Sequence, residues 1–152
     1  MIYGPMRDTK RPFKMFSAAK KDDWPLEVKS DFSANSRNST VGSRILLTND
    51  RVRVWAIELQ PGERLGAHRH NFNYFWIALT EGVSRQHHGD GSTSVVTYHE
   101  GETCHIEFGA GEYLVHDLEN LGDTPLAFVT VEFLGDSERL HVSSLATNDE
   151  LG

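Results

Sequence analysis

Two histidines one residue apart are the first chemistry in this sequence. In LGAHRH, His68 and His70 leave the same face of a strand about 6–7 Å apart at Cα. Two imidazoles so placed can converge on one metal ion at ~2.0–2.1 Å from each nitrogen. A third, His116, stands in YLVHDLEN, where a barrel would bring it beside the pair. Three neutral imidazoles on rigid strands make an open site for one divalent transition metal: Fe, Ni, Mn, Cu or Zn. The bland alternative for an HxH pair is a surface position or a satisfied core. Gln86, His87 and His88 sit beside a GDG turn and are expected to face solvent, and His105 with Glu107 reads as a surface pair. Cys104 alternates with Ile106 and Phe108, as a small buried hydrophobe does.

The elements that must position these residues are strands. Residues 41–135 contain nine short β-type runs: 43–48, 51–59, 65–70, 73–81, 83–88, 93–99, 102–108, 113–120 and 126–134. TND, QPGER, GDGS, HEGE, GAGE and NLGDTP separate them, supplying Gly, Asn, Asp or Pro where the chain reverses. Strands at this spacing without helical pattern predict a sandwich or barrel. Residues 1–40 hold no sustained periodicity, yet Phe13, Met15, Phe16, Trp24, Leu26 and Phe32 are too apolar for a free tail. They read as an extended N-terminal arm packed on the barrel or on a partner subunit. Residues 136–152 are polar and acidic and form a peripheral C-terminal tail, with Leu140, Val142 and Leu145 as anchors.

Composition bounds the function. With 152 residues the chain is one domain, and its single cysteine excludes an intrachain disulfide or a Cys-rich zinc finger. No apolar run approaches the ~18 residues of a membrane span; the N-terminus carries no signal-peptide pattern, and a cytoplasmic location is expected. Fifteen basic against 22 acidic residues, net −7, argue against nucleic acid. The charge is uneven, with the arm basic and the body acidic. Val52, Val54 and Ala56 alternate with Trp55, Ile57 and Leu59, so both faces of that strand are apolar, which predicts a covered outer face and a homodimer.

The spacing of these residues resembles the cupin family. Its first motif is Gly, five residues, His-x-His, three or four residues, Glu, six residues, Gly; its second ends in His, three residues, Asn. Gly62, His68, His70, Gly82, Gly101, His116 and Asn120 follow that order, and the resemblance covers about residues 45–135. It implies an all-β double-stranded β-helix, a jelly-roll barrel over 41–135. Two departures stand out. Counting back from Gly82, the motif Glu falls on Phe75, or on Tyr74 with the shorter spacing, and Asn73 is one residue too early. The Pro-x-Gly before the second-motif His is replaced by FGAGEYLVH.

A site of three histidines carries +2 with a divalent ion, against +1 with a carboxylate added, and so pulls harder on an anionic ligand. Some cupin dioxygenases are similar in using iron on three histidines alone. The expectation is a metal-dependent dioxygenase with Fe(II) on His68, His70 and His116, acting on a small β-diketone, thiol or keto acid. In this reading Phe75, Ile77 and Leu79 line a dry pocket with Asn73 nearby, and Tyr74 or Tyr113 donates a hydrogen bond to substrate. Two alternatives stand beside it. One is a sugar or keto-acid isomerase or lyase using Glu112, Glu58 or Tyr113 as base; the other is a small-molecule-binding module without catalysis.

Overall fold

A computed structural model describes residues 13–135. Ten strands form two antiparallel five-stranded sheets. In chain order they are β1 (Phe13–Phe16), β2 (Arg44–Thr48), β3 (Val52–Leu59), β4 (Arg64–His70), β5 (Tyr74–Ala78), β6 (Gly82–His87), β7 (Thr93–Tyr98), β8 (Thr103–Ile106), β9 (Leu114–Asn120) and β10 (Leu126–Phe133). One sheet runs β1-β7-β6-β9-β4 and the other β2-β3-β10-β5-β8. Each of the nine runs read from the sequence lies on a strand, and β1 comes from the arm. The two sheets close on a core of Ile57, Leu59, Ala78, Val96, Tyr98, Leu118, Leu126 and Phe128. This is the all-β double-sheet barrel expected from the turn-punctuated strands.

Two glycines show why the chain needs glycine where it does. Gly62, in the QPGER turn, has φ of 83°, a left-handed conformation that costs other residues strain. At the start of β6, a Cβ on Gly82 would meet Leu126 Cδ1 at 2.7 Å, so a larger residue there would push the core apart.

The arm departs from the sequence reading. It is not extended throughout: it contains a helix, α1 (Leu26–Asn35), preceded by a 3-10 turn at Lys21–Asp23. Pro25 sets the entry to α1, since its fixed φ suits the start of a helix. Only Val28 and Phe32 of the helix are buried. Spaced i, i+4, they share one face with Trp24 before them and pack on Ala67 and Val115, on the outer surface of β4 and β9. Two buried residues in ten, with Leu26 exposed, make no helical stripe, so tertiary docking rather than periodicity forms this element. Strand β1 pairs with β7 of the same chain. Residues 136–152, with Leu140, Val142 and Leu145, lie outside the described residues.

A candidate metal centre

Strands β4 and β9 are antiparallel neighbours, and their register sets His68 opposite His116. A bulge between Leu65 and His68 shifts the pairing. It lets these two residues, three apart, face the same cavity. From His68 onward the two-residue period resumes, so His70 also points inward. The ligand atoms of His68, His70 and His116 all lie within 4.8 Å of one another. His70 Nε2 is 3.1 Å from His116 Nε2. Two nitrogens on one ion at ~2.0–2.1 Å stand roughly 2.8–3.4 Å apart for coordination angles of about 90–110°. The same spacing serves as an N–H···N bond when no ion is bound.

The neighbours of each ring decide which nitrogen is available. His68 Nδ1–H donates to the Gly66 carbonyl at 2.8 Å, and His116 Nδ1–H donates to Gln86 Oε1 at 2.9 Å. Both rings therefore hold their proton on Nδ1 and turn an unprotonated Nε2 to the centre, the arrangement metal-binding histidines need. Gln86 is itself oriented, because its Nε2 donates to the Tyr98 hydroxyl at 3.1 Å. His70 differs: its Nδ1 is buried without a hydrogen-bond partner. Its ring is held instead by Tyr74, stacked at 3.9 Å and 10° from parallel. Burial drives all three imidazoles below their ordinary pKa, His70 and His116 well below it; neighbouring histidines discourage protonation of those two further, whereas Asp117 and Asp31 partly offset the effect of burial at His68. Neutral rings with free lone pairs fit a divalent transition metal.

The cavity beside the centre measures about 780 Å³. Its walls are largely apolar, with Trp76, Val96, Leu118 and Phe128 prominent. The side chains expected on β5 must be exchanged for their neighbours. Cross-strand pairing sets Tyr74 opposite Glu132 and Trp76 opposite Thr130, whose inward face is buried. Tyr74 and Trp76 thus line the cavity, whereas Phe75 packs on Phe133 outside it. Ile77 is on the same outer face as Phe75, and Leu79 is exposed beyond the strand. The reason is phase: with a period of two, an error of one residue inverts the whole strand. Tyr74, the shorter-spacing alternative for the missing Glu, is the one that faces inward.

Other expected residues lie elsewhere. Asn73 accepts from the Phe108 amide at 2.8 Å and ties down a loop; it does not line the cavity. Tyr113 is exposed on the outside, its ring covered by the Arg69 guanidinium at 3.5 Å. Glu58 pairs with exposed Arg44, and Glu112 accepts from the Gly109 amide. Neither carboxylate reaches the centre. Asn120 is structural: its Nδ2 donates to the Leu59 and Thr124 carbonyls and its Oδ1 accepts from Gly122.

Sequence reasoning missed four contributors. Gln86 and His88 are not solvated: they alternate inward on and just beyond β6 and line the cavity, while His87 turns outward and is buried against Trp24. Burial, with Lys14 nearby, pushes His88 down to about 4. Tyr98 lines the cavity and holds Gln86 in place. Glu102, in the HEGE turn, is buried and lines the same cavity, with Oε1 accepting from the His99 amide and Oε2 unpartnered. Alternation with Ser84 was the available signal for Gln86; nothing local marked Glu102.

No family model and no curated protein matches the sequence. Among solved structures, a cupin domain from Bordetella pertussis matches at 26% identity and TM-score 0.53, over 64% of this chain and 95% of that one. An uncharacterized conserved protein with a double-stranded β-helix domain, from Klebsiella pneumoniae, is 24% identical over 65% of this chain and 83% of that one, with a TM-score of 0.49. Oxalate decarboxylase from Bacillus subtilis is 23% identical over 55% of this chain and 22% of that one, with a TM-score of 0.44. The first match carries the fold; the other two are too distant to carry an argument.

Proposed function

Starting from a chain that belongs to the cupin family by fold, we propose that it is a metal-dependent dioxygenase acting on a small anionic or enolisable metabolite, with Fe(II) on His68, His70 and His116. The observation that carries this reading is the convergence of three neutral imidazoles, His68 and His70 buried and His116 half-buried, whose ligand atoms lie within 4.8 Å. Tyr74 rather than a carboxylate faces inward beside them. A divalent ion on these ligands keeps its full charge and open positions, and it favours a substrate offering two oxygens, or a thiolate and an oxygen. The bound iron would supply the redox chemistry with O₂.

The chain's own residues do the rest. Gln86 keeps the His116 proton on Nδ1, so that Nε2 is available. Trp76, Val96, Leu118 and Phe128 exclude water from the space a substrate would occupy. Burial raises the pKa of Tyr74 far above its ordinary value, so its hydroxyl stays protonated and can donate to a substrate oxygen. Nickel, manganese, zinc or copper would suit the same nitrogens. We place the protein in the cytoplasm as a homodimer; among the described residues no helix is long and apolar enough to cross a membrane.

One observation favours a second reading, an isomerase or lyase in which the metal acts as a Lewis acid. Glu102 is a buried carboxylate on the cavity wall with one oxygen unpartnered, which is what a proton-transferring base would offer. Elemental analysis of tag-free protein and of His116→Ala, followed by oxygen uptake with β-diketones, thiols and keto acids, tests both readings. About one equivalent of iron, lost in the variant, with substrate-dependent oxygen consumption supports the dioxygenase. Stoichiometric metal without oxygen uptake moves the weight to Glu102, and no metal in either protein refutes the metal centre.

A further inference from the structure

Outside the barrel, a groove of about 870 Å³ runs between the arm, α1 and the ends of β4 and β9. Four cationic side chains line it, Lys14, Lys21, Arg37 and Arg69, against one carboxylate, Asp90. This is unusual in a chain of net charge −7. Asp90 is already engaged by the Ser92 amide and hydroxyl. Among the described residues, no carboxylate forms an ion pair with any of the four cations. Arg69 is held in place: it lies between the two ligands of β4 but faces the other way, with its guanidinium over the Tyr113 ring and its Nε donating to Asn71 at 2.9 Å. The groove adjoins the metal cavity: Lys14, His88 and Leu114 line both.

We propose that this groove is a phosphate-recognition site, and that it holds the phosphate of a substrate whose other end reaches the three imidazoles. Four cations beside one carboxylate leave an excess of three positive charges, which suits a group carrying about −1.5 to −2 charges and three acceptor oxygens better than a single carboxylate. A partly ordered arginine loses little freedom on binding, which favours affinity. Like charges gathered without partners also repel one another, and an anion between them relieves that repulsion. The arm supplies Lys14 and Lys21, so the basic segment takes on a role in substrate binding rather than packing alone. The part concerning the far end of the substrate rests on the metal-centre reading; phosphate affinity of the groove does not.

The test is calorimetric titration of the metal-free, full-length protein with inorganic phosphate and pyrophosphate at low ionic strength, where exposed charges are least screened. Saturable one-to-one binding is expected, weakened about tenfold in Arg69→Gln and in Lys21→Gln. It should be unchanged in Arg44→Gln, on the opposite sheet. Lys21 is exposed, so its variant reads the groove even if Arg69→Gln disturbs folding. Absence of saturable binding, or equal weakening in Arg44→Gln, overturns the proposal. So does binding that emerges only after Asp136, Glu138, Asp149 and Glu150 are neutralised, because the groove would then belong to the chain's own acidic segment. Phosphate binding weakened in Lys21→Gln supports the groove whatever the metal content of His116→Ala, so the two readings fail separately.

Discussion

Replacing Gln86 by leucine isolates what a neighbouring side chain contributes to the metal centre. Gln86 makes two hydrogen bonds: its Oε1 accepts from His116 Nδ1, and its Nε2 donates to the Tyr98 hydroxyl. Tyr98 keeps a second partner, Ser84 Oγ at 2.8 Å, so the fold loses about 1 kcal/mol on that side. For a chain of this length, each kcal/mol lowers Tm by about 2–4 °C. The larger effect falls on His116. Without an acceptor its buried Nδ1–H is unpaired, and the tautomer with the proton on Nε2, which cannot bind metal, no longer has a competitor favoured by a hydrogen bond. Loss of such an outer partner typically weakens metal binding 10–100-fold, or about 1.4–2.7 kcal/mol. Gln86→Glu should act in the opposite direction, because a carboxylate accepts the same proton and makes the ring more basic. Competition against a chromophoric chelator, with zinc or Fe(II) under anaerobic conditions, measures both variants. Gln86→Leu within twofold of wild type, in a protein whose melting curve is intact and whose metal is lost in His116→Ala, would refute the assignment of His116 Nε2 as the ligand atom.

Three further outcomes are expected. Asp117 is fully buried and accepts from the His87 amide and Nδ1 and from Arg64 Nε, while Arg64 also binds Asp31 of α1. Asp117→Ala strands these donors and should cost about 3–5 kcal/mol, read as a fall in the urea midpoint; a fall equivalent to less than 1 kcal/mol would show that the network is replaceable. The metal-free protein should be acid-labile. His68, His70, His88 and His116 all have folded pKa values below 6.5, so the unfolded chain binds more protons. Their contribution is complete above pH 6.5 and is lost as pH falls through about 4 for His88 and on toward the folded values of the others; a urea midpoint flat from pH 7 to 4.5 would contradict this. Finally, Ile45, Leu46 and Leu47 are exposed on edge strand β2, so light scattering should find a dimer at micromolar concentration. Ile45→Lys with Leu47→Lys should return it to monomer, and a monomeric wild type refutes the pairing.

The strands of this protein are legible in its sequence because each is short, apolar and bounded by turn residues whose backbone preferences are local. The same holds for His68 and His70, whose single-residue spacing places them on one face of any strand. His116 could be named but not positioned; only the β4–β9 register, with its bulge, sets it across from His68. Facing on β5 was decided by tertiary structure, since a continuous apolar run such as YFWIA carries no mark of its phase. Pairing with β10 turned Tyr74 and Trp76 inward and left Phe75 and Ile77 outside. Helix α1 likewise exists through Trp24, Val28 and Phe32 docking on Ala67 and Val115, a contact between segments about forty and ninety residues apart that no local pattern encodes. Glu102 and the cationic groove belong to the same class. Their residues are ordinary surface types in the sequence, and it is the closing of the barrel and the folding back of the arm that bury the one and gather the others. Local chemistry is written in spacing, whereas the burial and company of a side chain follow from contacts between distant segments.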